Sequence, residues 1–176
     1  MNMKKMLLIT LLATAVSTRV FADFGLGVIG GVDINTTATW RIGATLGMGS
    51  QTGHPFFINL LFNGSSNFFS IKPTFDWHAL TWNISIVQLY LGLGAGTEFE
   101  FGTSDYDNDP FTFTLAARIP VGVKIFLNTF EWFLEASPEF GWRNYSHNIA
   151  SNNNKREDTN SFHWDIGLYT GFRFWF

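Results

Sequence analysis

The chain contains no cysteine. That removes disulfides, thiolate metal sites, a cysteine nucleophile and a lipid-modified N-terminal cysteine. Charge is scarce as well. Asp, Glu, Lys and Arg make up 14% of the 176 residues, where a soluble globular chain carries about 25%. A domain this small has much surface per unit volume and needs polar side chains to cover it. The net charge of −3 offers no basic face of the kind nucleic acid requires. Disorder is excluded by what is abundant: aromatics form 18% of the chain, with 20 Phe and 7 Trp, whereas disordered segments are aromatic-poor and charge-rich. The length fits one domain.

Long apolar runs are also missing beyond the N-terminus. Met1 to Ala22 has Lys4 and Lys5, a short apolar stretch from Met6 to Val16, and Val20-Phe21-Ala22 as a small-residue cleavage signal. Residues 1–22 are expected to be a cleavable signal-peptide helix, with 23–176 as the mature domain. The apolar stretch falls short of the ~20 residues a spanning helix needs, and Ser17, Thr18 and Arg19 end it. Cleavage would leave 8 basic residues against 14 acidic. Every later stretch is broken by Gly, Asn, Thr or a charge. An exported chain of this kind either dissolves beyond the inner membrane or enters a membrane as strands.

What fills the mature chain is alternation. Ala38, Trp40, Ile42, Ala44, Leu46 and Met48 share one face, with Thr37, Thr39, Arg41, Gly43, Thr45 and Gly47 on the other. Period two is the signature of a two-faced strand. It recurs around Phe24–Val28, where Ile29 breaks it, and around Phe56–Phe62, where Phe57 and Leu61 blur it. It recurs again over Phe69–His78, Val87–Phe101, Phe111–Ile125 across Pro120, Trp132–Arg143 and Phe162–Phe176. These are eight candidate strands, several reaching the 9–11 residues that span a bilayer when tilted. Turn chemistry separates them at Asp33-Ile34-Asn35, Gly49 to Pro55, Asn63 to Ser66 and Gly102 to Pro110. The polar stretch Ser146 to Ser161 is expected to be a single loop. Trp82, Ile84 and Ile86 fall out of phase with the strand before them, so Leu80 to Ile86 is expected to be a long turn.

A soluble barrel turns its apolar face inward, and a membrane barrel turns it outward. The polar face here is rich in Gly and Thr and poor in Lys and Glu, unlike a solvated wall. Aromatics such as Phe24, Trp77, Phe101, Trp132, Trp142, Trp164 and Phe176 gather near strand ends, as interfacial girdles do. The expected fold is therefore an all-β, eight-stranded antiparallel transmembrane up-and-down barrel. Its interior would collect Arg41, Lys72, Arg118, Lys124, Arg143 and Arg173 against Asp76, Glu98, Glu100, Glu131, Glu135, Glu139 and Asp165. Six against seven nearly balances. Charges withdrawn from water must be paired, and eight strands enclose a space that side chains just fill. A closed, ion-networked lumen is expected; the alternative is a gated conduit whose ion pairs exchange partners.

Sites for chemistry are few. His54, His78, His147 and His163 are scattered without metal-ligand spacing. Asp105, Asp107 and Asp109 alternate like the start of a calcium loop, but the Gly and distal Glu are missing. Leu91 to Gly96 is glycine-rich within a strand, where it serves packing rather than dinucleotide binding. Lys155 to Asp158 is a mixed-charge tip. Ser161, His163 and Asp165 could be tried as a hydrolytic set, but they spread over about 13 Å on one strand face. No catalytic residue, metal ligand or cofactor is assigned.

Asp76-Trp77-His78, Leu91 to Gly96, Arg118-Ile119-Pro120-Val121-Gly122, Phe133-Leu134-Glu135-Ala136 and Gly171-Phe172-Arg173-Phe174-Trp175-Phe176 carry a resemblance. With them the chain resembles the spirochaete-type small outer-membrane barrels, similar to OmpA, OmpX and OmpW, over most of residues 23–176. The resemblance implies an integral outer-membrane protein with surface loops, and an even number of strands is expected to leave both termini in the periplasm. It implies a C-terminal strand (Phe172, Phe174, Phe176) read by the barrel-assembly machinery, and it supplies no catalytic residues. Expected partners are outer-membrane lipid, that machinery, and an extracellular ligand at loops 102–110 and 146–161. The leading expectation is a non-enzymatic structural or surface-interaction role. OmpW-like transport of small or hydrophobic solutes comes second, and a lipid-modifying enzyme a distant third.

Overall fold

The computed structural model describes residues 23–35, 38–64, 68–102, 111–149 and 155–176. The expected signal peptide and the Asp105–Asp109 loop lie outside these residues, as do the side chains of 146–149 and 155–158. The strands are β1 (Phe24–Ile34), β2 (Ala38–Met48), β3 (Phe56–Gly64), β4 (Phe68–Ile84), β5 (Val87–Gly102), β6 (Phe111–Arg118), β7 (Val121–Leu127), β8 (Phe130–Ile149) and β9 (Lys155–Trp175). All pairings are antiparallel.

Nine segments make eight positions in the ring. β6 and β7 both pair with β5 on one side and β8 on the other. They are one strand, interrupted at Ile119-Pro120 because proline has no N–H to give the ladder. The register passes the break intact: Arg118 faces Glu139, and three residues on, Val121 faces Ala136. The order is β4-β3-β2-β1-β9-β8-β6/β7-β5, and β4–β5 pairing closes it. An even ring leaves both termini at one end, where Phe24 and Phe176 exchange backbone hydrogen bonds of 3.3 and 2.8 Å.

The side chains sort by parity as an inverted barrel. Trp40 is 73% exposed on the outer wall, while Arg118 is 1% exposed inside. Ile29, Phe57 and Leu61, which look like breaks in the alternation, do not break it. They are inward positions occupied by apolar residues, and Ile29 and Leu61 pack with Phe133 and Tyr169 in the middle of the lumen.

Two expectations are corrected. Leu80 to Ile86 is not a long turn. β4 continues through it, pairing from Leu80↔Leu91 to Ile84↔Val87, and the register slips between Trp77 and Leu80. A one-residue bulge at His78–Ala79 shifts the phase, so Leu80, Trp82 and Ile84 return to the outer wall. The true turn is Ser85-Ile86, with Ser85 at φ 57°. Ser146 to Ser161 is likewise not one loop. β8 and β9 pair through it up to Ile149↔Lys155. The segment alternates no apolar residues with polar ones, so its period does not show in the sequence.

Candidate functional site: the barrel interior

A continuous ionic chain runs down the lumen from the end remote from the termini. Arg41 on β2 donates to Asp33 on β1, to Glu98 on β5 at 2.6 Å and to Ser70 on β4 at 2.9 Å. Lys72 on β4 reaches Asp33 at 2.8 Å and Glu139 on β8 at 3.0 Å. Arg118 on β6 donates to that Glu139, to Asp76 on β4 at 3.0 Å, and lies 3.5 Å from Glu135 on β8. Tyr169 donates to Asp33, and Tyr90 donates to Glu135 at 2.8 Å. Arg143 stands at the edge of the chain, 4.0 Å from Glu98.

This chain ties β1, β2, β4, β5, β6, β8 and β9 across the interior. Arginine's planar fork, with five donors, suits such multi-partner sites. A buried pair is worth little net against an apolar replacement, but removing one member strands the others. The glycines of the inner face make room for the large members. A Cβ on Gly122 would fall 2.5 Å from the Tyr90 hydroxyl, and one on Gly167 would run into the Tyr169 ring.

The end bearing the termini is built differently. Arg173 on β9 donates to Glu131 on β8, its guanidinium 4.0 Å from the ring centroids of both Phe57 and Phe133. Trp175 is 3% exposed and donates its indole N–H to Glu131 at 2.8 Å. His78 stacks on Tyr90 at 3.8 Å. The segment Gly49 to Pro55 crosses this mouth as a strap. Thr52 O accepts from Gln88 at 2.9 Å and Asn83 at 3.2 Å, and Gln51 donates to Asn128 O at 3.2 Å in the β7–β8 turn.

Of the interior charges named from the sequence, ten join ion pairs: Arg41, Lys72, Asp76, Glu98, Arg118, Glu131, Glu135, Glu139, Arg143 and Arg173. Glu100, Lys124 and Asp165 face inward without an ion pair among the described residues, and Asp165 instead accepts the Ile166 N–H at 2.7 Å. Sequence reasoning missed Asp33, Tyr90, Tyr169 and Trp175. Asp33 looks like turn chemistry beside Asn35, yet its odd position matches inward Gly25, Gly27 and Gly31. Trp175 is concealed among terminal aromatics, though parity places it with Arg173. Ser161, His163 and Asp165 share the inner face of β9 and make no hydrogen bond to one another among the described residues. Phe172, Phe174 and Phe176 point outward.

A closed antiparallel ring with aliphatic and aromatic side chains outside and ion pairs inside defines a transmembrane up-and-down β-barrel. The fold is similar to that of solved outer-membrane β-barrels. A major outer membrane protein from Thermus thermophilus superposes with TM-score 0.54 at 8% identity, covering 88% of this chain and 98% of that one. The N-terminal β-barrel domain of Pseudomonas aeruginosa OprF gives TM-score 0.50 at 12% identity, covering 85% and 97%. At these identities the likeness is one of fold. No protein-family model matches the chain, and no curated protein matches it.

Proposed function

We propose that this protein is an integral outer-membrane barrel with a closed lumen and a non-enzymatic structural or surface-interaction role. It follows a 1–22 signal peptide and belongs with the spirochaete-type small barrels that its motifs resemble. Both termini face the periplasm. Phe172, Phe174 and Phe176 are the strand read by the assembly machinery, and the wall meets outer-membrane lipid. Loops 102–110 and 146–161 present to an extracellular ligand. The observation that carries the closed reading is Arg118, which bridges Asp76 to Glu135 and Glu139 across the interior at 1% exposure. A lumen of eight strands has little width to spare beyond such side chains.

Single-channel recording in a planar bilayer tests this reading. Conductance at baseline supports it, and stable openings in the wild-type protein overturn it. Deleting residues 148–159 is expected to abolish partner binding while the barrel still folds. Loss of folding on that deletion would count against a purely presentational role.

A second reading, OmpW-like passage of small hydrophobic solutes, draws on one feature of the wall. An apolar recess of about 330 Å³ lies over the β4–β5 seam, lined by Ile58, Pro73, Phe75, Ala95, Gly96 and Thr97. The pairing there skips Lys72 and Pro73. Uptake of an apolar dye into liposomes only when the barrel is present would favour this reading over the first.

A further inference from the structure

Among the described residues, Lys124 is the buried cation left without an ion pair or a hydrogen bond. Arg41, Lys72, Arg118, Arg143 and Arg173 each lie within 4.0 Å of a carboxylate. Lys124 is 0% exposed, and its Nζ has no hydrogen-bond acceptor among the described residues. It stands 4.5 Å from the Phe57 ring centroid and 5.2 Å from that of Tyr90. The carboxylates at this end are already engaged. Glu131 gives one oxygen to Arg173 and the other to the Trp175 indole. Glu135 gives one to Arg118 and the other to Tyr90.

Two further buried polar atoms lack partners in the same place, His78 Nδ1 and Gln88 Oε1. Gln88 is the register partner of Lys124 across β5 and β7, which sets their side chains next to each other on the inner face. The His78 ring stacks on Tyr90 at 3.8 Å and lies 4.4 Å from Phe57. Lys124, Gln88 and His78 therefore line one compartment walled by Phe57 and Tyr90. The Gly49–Pro55 strap floors it: Gln88 Nε2 donates to Thr52 O, and the His78 backbone N–H donates to Pro55 O at 3.1 Å.

We propose that this compartment binds one small monovalent anion of the halide class. Lys124 Nζ is its counter-charge, and the His78 ring N–H, in the tautomer protonated at Nδ1, is its second donor. A buried ammonium with aromatic walls and no carboxylate within ion-pair distance is strongly disfavoured. A water molecule would give Lys124 a hydrogen bond but no adjacent negative charge, since Glu131 and Glu135 are bonded to other groups, whereas an anion supplies both. The ammonium has three hydrogens, and Gln88 Oε1 is an acceptor at hand for another. The aromatic walls limit the occupant to a compact ion. The site is independent of whether the lumen conducts.

The test uses the full barrel, purified and folded in detergent micelles. Thermal unfolding is followed while sodium bromide replaces sodium gluconate at fixed ionic strength. The wild-type midpoint is expected to rise and saturate. Lys124→Met is expected to lose the bromide dependence, and His78→Phe to weaken it. Crystals grown in bromide should show an anomalous peak beside Lys124 Nζ. Equal bromide dependence in wild type and Lys124→Met, or a compartment holding only water in those crystals, overturns the proposal. Should Lys124→Met fail to fold, chloride-35 line broadening by the wild-type barrel decides. Broadening that exceeds that of the urea-unfolded chain supports the site, and equal broadening refutes it.

Discussion

Lys72 on β4 donates to Asp33 on β1 across 2.8 Å, joining strands that stand three places apart in the ring. The same carboxylate also takes Arg41 and the Tyr169 hydroxyl. Asp33 is thus where three strands of the wall are fastened to β1. Asp33→Ala leaves two buried cations without that acceptor. We expect it to lower unfolding stability by about 3–5 kcal/mol, the usual cost of breaking a buried ionic group by removing one partner. Urea titration of the folded barrel in micelles checks this, and a loss below ~1 kcal/mol would show that the network contributes little.

Arg118 poses the reciprocal case. Arg118→Met keeps most of the side-chain volume but leaves Asp76, Glu135 and Glu139 facing one another. The single substitution is expected to destabilise by about 3–5 kcal/mol. Adding Asp76→Asn and Glu139→Gln should recover much of that loss, because neutral partners no longer repel. A triple variant less stable than the single one would contradict this account of the interior.

The β4 bulge makes a geometric prediction. Deleting Ala79 removes the extra residue and lets Trp77, His78 and Leu80 alternate without a break, so Leu80, Trp82 and Ile84 stay on the outer wall and the β4–β5 register runs straight through. The deletion variant is expected to fold, read as a retained heat-modifiable band in electrophoresis, and loss of that band would show that the bulge itself is required. Ala79→Ser, which keeps the residue count, should fold normally.

If the terminal aromatics are an assembly signal, deleting Phe176 should lower outer-membrane levels in cells while the same variant still refolds in detergent. A parallel loss in both settings would assign Phe176 to stability alone.

Much of this architecture is readable from residue order, for a physical reason. Lipid demands an unbroken apolar face, so Ala38 to Met48 or Trp132 to Trp142 show their parity plainly. The chain is opaque where that demand lapses or shifts. Beyond Tyr145, β8 and β9 continue through a run of polar residues, and their period disappears. At His78–Ala79 a single inserted residue reverses the phase, and the reversal resembles a turn. Inside, an apolar Ile29 or Leu61 is as acceptable as a paired charge, so the inner face obeys no single rule. Parity alone names ten of the paired interior charges, but it does not name their partners: Asp33 and Lys72 meet only because the ring closes.

The inversion of the barrel is the claim on which the rest stands, and the seven tryptophans test it. Trp40, Trp77, Trp82, Trp132, Trp142 and Trp164 lie on the outer wall at 37–73% exposure, while Trp175 lies inside at 3%. Single-tryptophan variants in bilayers containing brominated lipid should show strong quenching at each of the six and little at Trp175. Strong quenching at Trp175, with the other six unaffected, would contradict the account.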